Sequence, residues 1–242
     1  MTRILITRPL EDAEPLAALL TAAGYGVLIE PLLDIVSFDH PLPDLAEFQA
    51  VLFTSANGVR AFARAALPHS LAISAYPVIT VGAATKAAAL SYGFENVVSA
   101  DGDVEEMARL VIGRCQPDSG ALLQIAATER AGDLAGRLTD AGFVVRRDVR
   151  YRAQPAEALT PATVTALAAG GIDVALLYSP RTARVLAKLL GAAGGSQLSS
   201  RVAAVCLSSA VAAAVVEGGL LWRAVRVACR PDQDALLDQI AD

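Results

Sequence analysis

Val51-Leu52-Phe53-Thr54-Ser55-Ala56-Asn57-Gly58-Val59-Arg60 sets a short apolar strand directly against the start of a helix. Residues 51–54 read as a strand buried on both faces, and residues 57–66 as a helix stopped by Pro68. Between them lies a turn of small hydroxyl, amide and glycine residues. The same alternation extends outward in both directions. Strands are predicted at 4–7, 27–30, 77–81, 122–125, 144–151, 174–178, 202–206 and 224–228. Helices are predicted at 12–23, 83–91, 104–113, 132–141, 163–169, 181–190, 210–217 and 233–240. Such strand–helix alternation predicts parallel sheets covered by helices.

The second half repeats the first in order and spacing. Ile4-Leu5-Ile6 through Gly24-Tyr25 matches Leu122-Leu123-Gln124 through Gly142-Phe143. Val51 to Ser55 with Arg60 matches Ala175 to Ser179 with Arg184, and Pro77 to Val81 with Thr85 matches Arg201 to Val205 with Ser209. The period is too long for a solenoid, so an old duplication and two similar lobes are expected. Residues 39–44 and 152–155 are the linker candidates.

Of 242 residues, 54% are hydrophobic and 19% charged, which favours a sizeable core over disorder. The net charge of −5 gives no basic field for nucleic acid or an acidic membrane, so an acidic ligand must meet local donors. Cys115, Cys206 and Cys229 are odd in number and widely spaced, and His40 and His69 are far apart, so neither a disulfide nor a metal site is expected. Cys206 lies in an apolar run as a core residue. The apolar stretches are too short for a signal peptide or a membrane span, and a cytoplasmic protein is expected.

The strand-to-helix turns carry the chemistry, because parallel strands gather them at one edge of a sheet. They are Thr7-Arg8-Pro9, Thr54-Ser55-Ala56-Asn57-Gly58, Gly82-Ala83-Ala84-Thr85-Lys86, Ser179-Pro180-Arg181-Thr182 and Leu207-Ser208-Ser209. Any one of them is explained by capping alone, since every helix needs a cap. Five such turns with Arg or Lys nearby point to first-turn amides and hydroxyls that cradle carboxylates or phosphates. Other motifs fail. Gly82–Lys86 lacks the spacing of a phosphate loop, Gly191-Ala192-Ala193-Gly194-Gly195 follows a helix and reads as a flexible loop, and no Gly-x-Ser-x-Gly elbow occurs. Tyr151 ends a strand among Arg146, Arg147, Arg150 and Arg152. An aromatic at a lobe boundary packs on the hinge or acts in the site, and both readings stand.

With these turns in order, the chain resembles the uroporphyrinogen-III synthase family from Ile4 to Leu237. The resemblance rests on Val51 to Arg60, Val81 to Thr85 with Gly93-Phe94, Tyr178 to Thr182, Leu5 to Pro9, and Val149-Arg150-Tyr151. It implies an α/β fold of two similar lobes, each a flavodoxin-like parallel sheet flanked by helices, joined by a two-stranded connection with an anion-binding cleft between them. It also places the crossings near Ser37 and Arg152: residues 1–36 and 153–242 form one lobe, and residues 37–152 an inserted second. The implied activity is a cyclising hydro-lyase of porphyrin and heme biosynthesis. Its substrate, hydroxymethylbilane, is a linear tetrapyrrole with an acetate and a propionate on every ring. Water is lost and the macrocycle closes with the terminal ring inverted, through an azafulvene and a spirocyclic pyrrolenine. No metal or organic cofactor, no nucleic acid and no membrane partner are implied, and the family's members are monomers.

By matching position, Tyr151 is the expected catalytic acid, and Thr7, Ser55, Gly82, Thr85, Ser179 and Ser209, with Ser208 beside it, are expected to bind substrate. Arg8, Lys86, Arg130 and Arg181 join them on grounds of charge complementarity. Two departures stand out. Cys206-Leu207-Ser208-Ser209 replaces a frequent Gly-Pro-Thr-Thr, and Gln124-Ile125-Ala126-Ala127 lacks the usual Arg-Gly, leaving Arg130 at that edge. They motivate an alternative, a non-enzymatic two-lobed protein that binds a polyanion or tetrapyrrole. A doubly wound nucleotide enzyme lacks its phosphate-loop fingerprint.

Overall fold

The central strands are buried nearly throughout, and successive residues face opposite helical layers. In a computed structural model that describes residues 1–66, 73–129 and 132–240, the strands are β1 (Arg3–Ile6), β2 (Gly26–Ile29), β3 (Leu33–Ser37), β4 (Phe48–Phe53), β5 (Val78–Thr80), β6 (Val97–Ser99), β7 (Ala121–Ala127), β8 (Val145–Pro155), β9 (Val174–Leu177), β10 (Ala203–Cys206) and β11 (Ala224–Val227). The helices are α1 (Leu10–Ala22), α2 (Ala56–Ala66), α3 (Ala83–Ser91), α4 (Val104–Arg114), α5 (Leu134–Asp140), α6 (Pro161–Ala168), α7 (Pro180–Ala193), α8 (Ser196–Ser199), α9 (Ser209–Glu217) and α10 (Gln233–Leu237). Pro68, His69 and Arg130 lie outside the described residues.

The chain forms two compact units, Met1–Asp34 with Gln154–Asp242, and Ile35–Ala153. Unit 1 holds a five-stranded parallel sheet in the order β11-β10-β9-β1-β2. Leu5, Ala175, Leu177, Ala204 and Cys206 face one helical layer with Leu186, Leu190, Val211 and Val215, while Ile4, Ile6, Leu176 and Val205 face Leu16, Leu20 and Leu236 on the other. Neighbours in sequence thus serve opposite faces, as the pleat requires. Cys206 is fully buried, and burial pushes its thiol up to about 12.

Unit 2 repeats the plan with β6-β5-β4-β7-β8 and adds β3 at the edge. Its first five strands are parallel. Val51, Phe53, Leu123 and Ile125 pack on Val59, Phe62 and Phe94, and Ala50, Leu52 and Leu122 pack on Met107, Val111 and Leu138. Phe53, Phe62 and Phe94 meet with ring centroids 5.7, 5.8 and 6.0 Å apart, an aromatic cluster within this layer. The chain leaves unit 1 within β3 and returns within β8. These two strands pair with indices running in opposite directions, since Phe38 N–H donates to the Arg150 carbonyl and Ala156 N–H to that of Leu32.

Three expectations change. β3 and β6 are additional strands, and β8 runs on to Pro155 because β3 supplies an edge partner. Gly191 to Gly195 is only partly a loop: α7 continues to Ala193, and Gly194 and Gly195 take positive φ values of 149° and 62° to turn the chain into α8. Only glycine tolerates that pair of conformations cheaply. Among the described residues no helix is long and apolar enough to cross a membrane.

Candidate functional site

Among the described residues nine helices directly follow a strand, and their N-termini divide by charge. Asp103 caps α4 by accepting from Glu105 N (2.7 Å) and Glu106 N (3.1 Å), while Glu106 reaches back to Asp103 N. Asp133 accepts from Gly136 N in α5, and Asp232 from Ala235 N in α10. The Ala235 amide holds the Asp232 carboxyl below its ordinary value, a direct sign that these amides favour negative charge. Glu30, only 2% exposed, closes α6 from a distance in sequence: it accepts from Thr160 N (3.1 Å), Thr160 Oγ1 and Thr163 Oγ1. α1 carries Glu11 and Asp12 in its first turn.

The other four, α2, α3, α7 and α9, have no acidic residue in the first turn, and the residues just ahead of them are Ser55, Gly82, Ser179 and Ser208. They follow β4, β5, β9 and β10, which are neighbouring pairs within their sheets. α2 packs on α3 in unit 2, and α7 on α9 in unit 1. Each unit therefore presents two adjacent, acid-free N-termini at the carboxyl edge of its sheet. Arg60, Lys86 and Arg181 lie within the first five residues of three of them.

In unit 1 this edge gathers Thr7, Arg8, Ser179, Arg181, Ser208 and Ser209. Ser179 Oγ accepts from Thr182 N at 3.1 Å with Pro180 at the first helical position, the cap expected there. Ser208 caps α9 without a side-chain bond, and Ser209 is exposed. Thr7 is fully buried and donates to the Leu176 carbonyl at 2.7 Å, tying the end of β1 to β9. Arg8 lies over the Tyr178 ring, 4.4 Å from its centroid, and its guanidinium reaches Asp12 Oδ2 at 3.3 Å.

In unit 2 the edge gathers Ser55, Gly82, Thr85, Lys86 and Tyr151. Ser55 Oγ accepts from Asn57 N at 3.2 Å, and Asn57 Oδ1 accepts from Arg60 at 2.7 Å. Gly82 has an extended φ of −161°, and a Cβ there would meet nothing within 4 Å, so space is open over the start of α3. Thr85 is buried in the first turn of α3. Tyr151 stands opposite Ala127, the last residue of β7, and is 6% exposed. Burial pushes its phenol above the ordinary value and the nearby Glu129 carboxylate adds to the rise, while a side-chain hydrogen bond with Ser55 offsets part of it. The phenol is therefore protonated at neutral pH.

A β-bulge explains why Tyr151 is buried beside an equally buried arginine. The register steps from Ala126 opposite Val149 to Ala127 opposite Tyr151, leaving Arg150 as the extra residue. Arg150 is fully buried, binds Asp148 Oδ2 through Nε at 2.6 Å, and donates to the carbonyls of His40 and Pro41. Arg150, one of four arginines close to Tyr151 in sequence, is an internal clamp on the chain that enters unit 2. The contact of Tyr178 with Arg8 and the capping by Glu30 leave no local signal in the sequence, because the partners lie 170 and 130 positions away.

The family described as Uroporphyrinogen-III synthase HemD matches residues 14–238. No curated protein sequence matches significantly. Among solved structures, the chain is similar to uroporphyrinogen-III synthetase from Helicobacter pylori, with TM-score 0.65, 16% identity, and coverage of 100% of this chain and 99% of that one. It is also similar to a mutant uroporphyrinogen III synthase from the extremely thermophilic bacterium Thermus thermophilus, with TM-score 0.57, 19% identity, and coverage of 100% and 98%. At such identities the structures speak for the fold. The family match over residues 14–238 goes further, and on it the chain belongs to the uroporphyrinogen-III synthase family.

Proposed function

We propose that this chain is a working uroporphyrinogen-III synthase: a cytoplasmic, monomeric hydro-lyase that converts hydroxymethylbilane to the macrocycle with its terminal ring inverted. The observation that carries the reading is the family match over residues 14–238. Its physical support is the pair of acid-free helix N-termini in each unit, on a chain whose net charge of −5 offers a polycarboxylate no other general attraction.

In this reading the substrate's acetates and propionates are held by first-turn amides at Ser55, Gly82, Ser179, Ser208 and Ser209, and by Arg8, Lys86, Arg130 and Arg181. Thr7 and Thr85 act from beneath, since both are buried. Restricting a flexible bilane to one reactive fold draws on the roughly 7–11 kcal/mol available to positioning. Tyr151 donates its phenolic proton to the departing hydroxyl as the carbon–oxygen bond breaks, and water leaves. Overall the reaction loses only water, so the phenolate recovers its proton as the ring-closed intermediate sheds one. The azafulvene left by water loss is attacked within the substrate, through the spirocyclic pyrrolenine, and needs no protein nucleophile.

Incubating the protein with freshly made hydroxymethylbilane and separating the product isomers by chromatography tests this. The inverted isomer should dominate. The uninverted isomer alone, as forms without enzyme, rejects the reading, and ligand binding without turnover would put a polyanion-binding protein in its place.

A further inference from the structure

Tyr178 closes β9 and directly precedes the Ser179 cap of α7. Its hydroxyl oxygen is buried with no hydrogen-bond partner among the described residues. Arg8, at the end of the adjacent strand β1, lies over its ring with the guanidinium carbon 4.4 Å from the centroid. Arg8 also reaches Asp12 Oδ2 at 3.3 Å, approaches Gln233 Oε1 at 3.4 Å, and keeps 22% of its side chain exposed. Burial pushes the Tyr178 phenol up and the Arg8 charge offsets part of the rise, although no hydrogen bond of normal geometry joins them.

A buried hydroxyl without a partner is a cost, so the ring must be kept for another reason. A guanidinium held over a ring face need spend no N–H donor on the ring, and the donors not directed at Asp12 and Gln233 remain for a carboxylate. Stacking also fixes a side chain that otherwise samples many rotamers, so less ordering remains to be done when an anion arrives. Asp12 and Gln233 each hold one terminal nitrogen of the fork, and its exposed part lies at the sheet edge that also carries the acid-free starts of α7 and α9.

We propose that Tyr178 is a positioning residue for substrate recognition: its ring face carries the Arg8 guanidinium, held by Asp12, so that Arg8 is preset at the end of β1 for one substrate carboxylate. This rests on the synthase reading above. A carboxylate remote from the bond being broken is bound equally in ground and transition states, so its loss raises KM and leaves kcat alone.

The test is steady-state turnover of hydroxymethylbilane by the full chain, with folding followed by circular dichroism. Tyr178→Leu should raise KM about two- to fivefold with kcat within about twofold, the scale of a partly exposed cation–π contact. Tyr178→Phe, which keeps the ring, should restore the KM of the unaltered chain. Arg8→Met should raise KM further, and Arg8→Met with Tyr178→Leu should match Arg8→Met alone, because Tyr178 acts through Arg8. If Tyr178→Leu does not fold, Tyr178→Met, of similar volume, replaces it in the same cycle. Additive effects, a Tyr178→Phe as poor as Tyr178→Leu, or an unchanged KM in an active Tyr178→Leu each overturn this inference and leave the synthase reading standing. An unaltered chain that yields no inverted isomer overturns both.

Discussion

The carboxyl edges of unit 1 and unit 2 share one plan. Each sets two neighbouring acid-free helix starts, α7 with α9 and α2 with α3, beside two further strand ends. They part at those further strands. In unit 1, the turn after β1 sets Arg8 over the Tyr178 ring, and β2 is followed by Glu30, whose carboxylate is consumed by the start of α6. In unit 2, the strand corresponding to β2 is β8, and it brings the neutral, buried phenol of Tyr151 against Ser55. One topology thus sets a cation over a ring at one edge and a buried, neutral phenol at the other. The strand order sets where a group stands; the single residue at the carboxyl edge of the sheet sets its chemistry.

If Tyr151 is the acid proposed above, the largest effect should come from its removal. Tyr151→Phe should lower kcat by about a hundredfold, the lower end of what a positioned acid contributes, with KM nearly unchanged. A loss confined to KM would make Tyr151 a binding or packing residue. The equivalent change at the unit 1 edge, Arg8→Met, should do the opposite and move KM.

The pH response sharpens the same contrast. The Tyr151 phenol is raised above its ordinary value, so the folded state keeps its proton after an unfolded chain has released it. Its contribution to stability is complete below about pH 10 and is lost as the pH climbs from there through the raised native value. Urea unfolding between pH 9 and 11 should show a decline that is shallower in Tyr151→Phe. A turnover profile flat from pH 7 to 9 should accompany it, and a fall within that range would assign the proton to another group.

Smaller effects separate capping from binding. Ser179→Ala removes a bond to Thr182 N and should cost about 1 kcal/mol in urea unfolding. Ser208→Ala removes no cap bond and should cost much less. Equal losses would mean that the two caps do the same structural work.

Much of the fold class was legible because central strands read as unbroken apolar runs. β6 was not, since it is three residues long and half-buried throughout, and β3 is half-exposed at a sheet edge. Neither produces a run that periodicity can detect. Within the site, the hydroxyl-rich turns were visible as local sequence. The Glu30 bond to Thr160 and the Arg8 stack on Tyr178 were not, because sequence gives no distance between strand ends. Arg150 misled for a different reason: the bulge breaks the alternation that would have turned either it or Tyr151 outward.

The proposed function requires that the acid-free helix starts be kept for substrate carboxylates. Gly82→Asp tests it most directly, because φ at this position suits any residue and a Cβ meets nothing within 4 Å. An aspartate there is a better cap for α3 than glycine, so the melting temperature should hold or rise. The measurement is KM for hydroxymethylbilane in this variant against the unaltered chain. KM should rise at least about fivefold, roughly 1 kcal/mol of like-charge repulsion, in a protein at least as stable. An unchanged KM in that stable variant would contradict it.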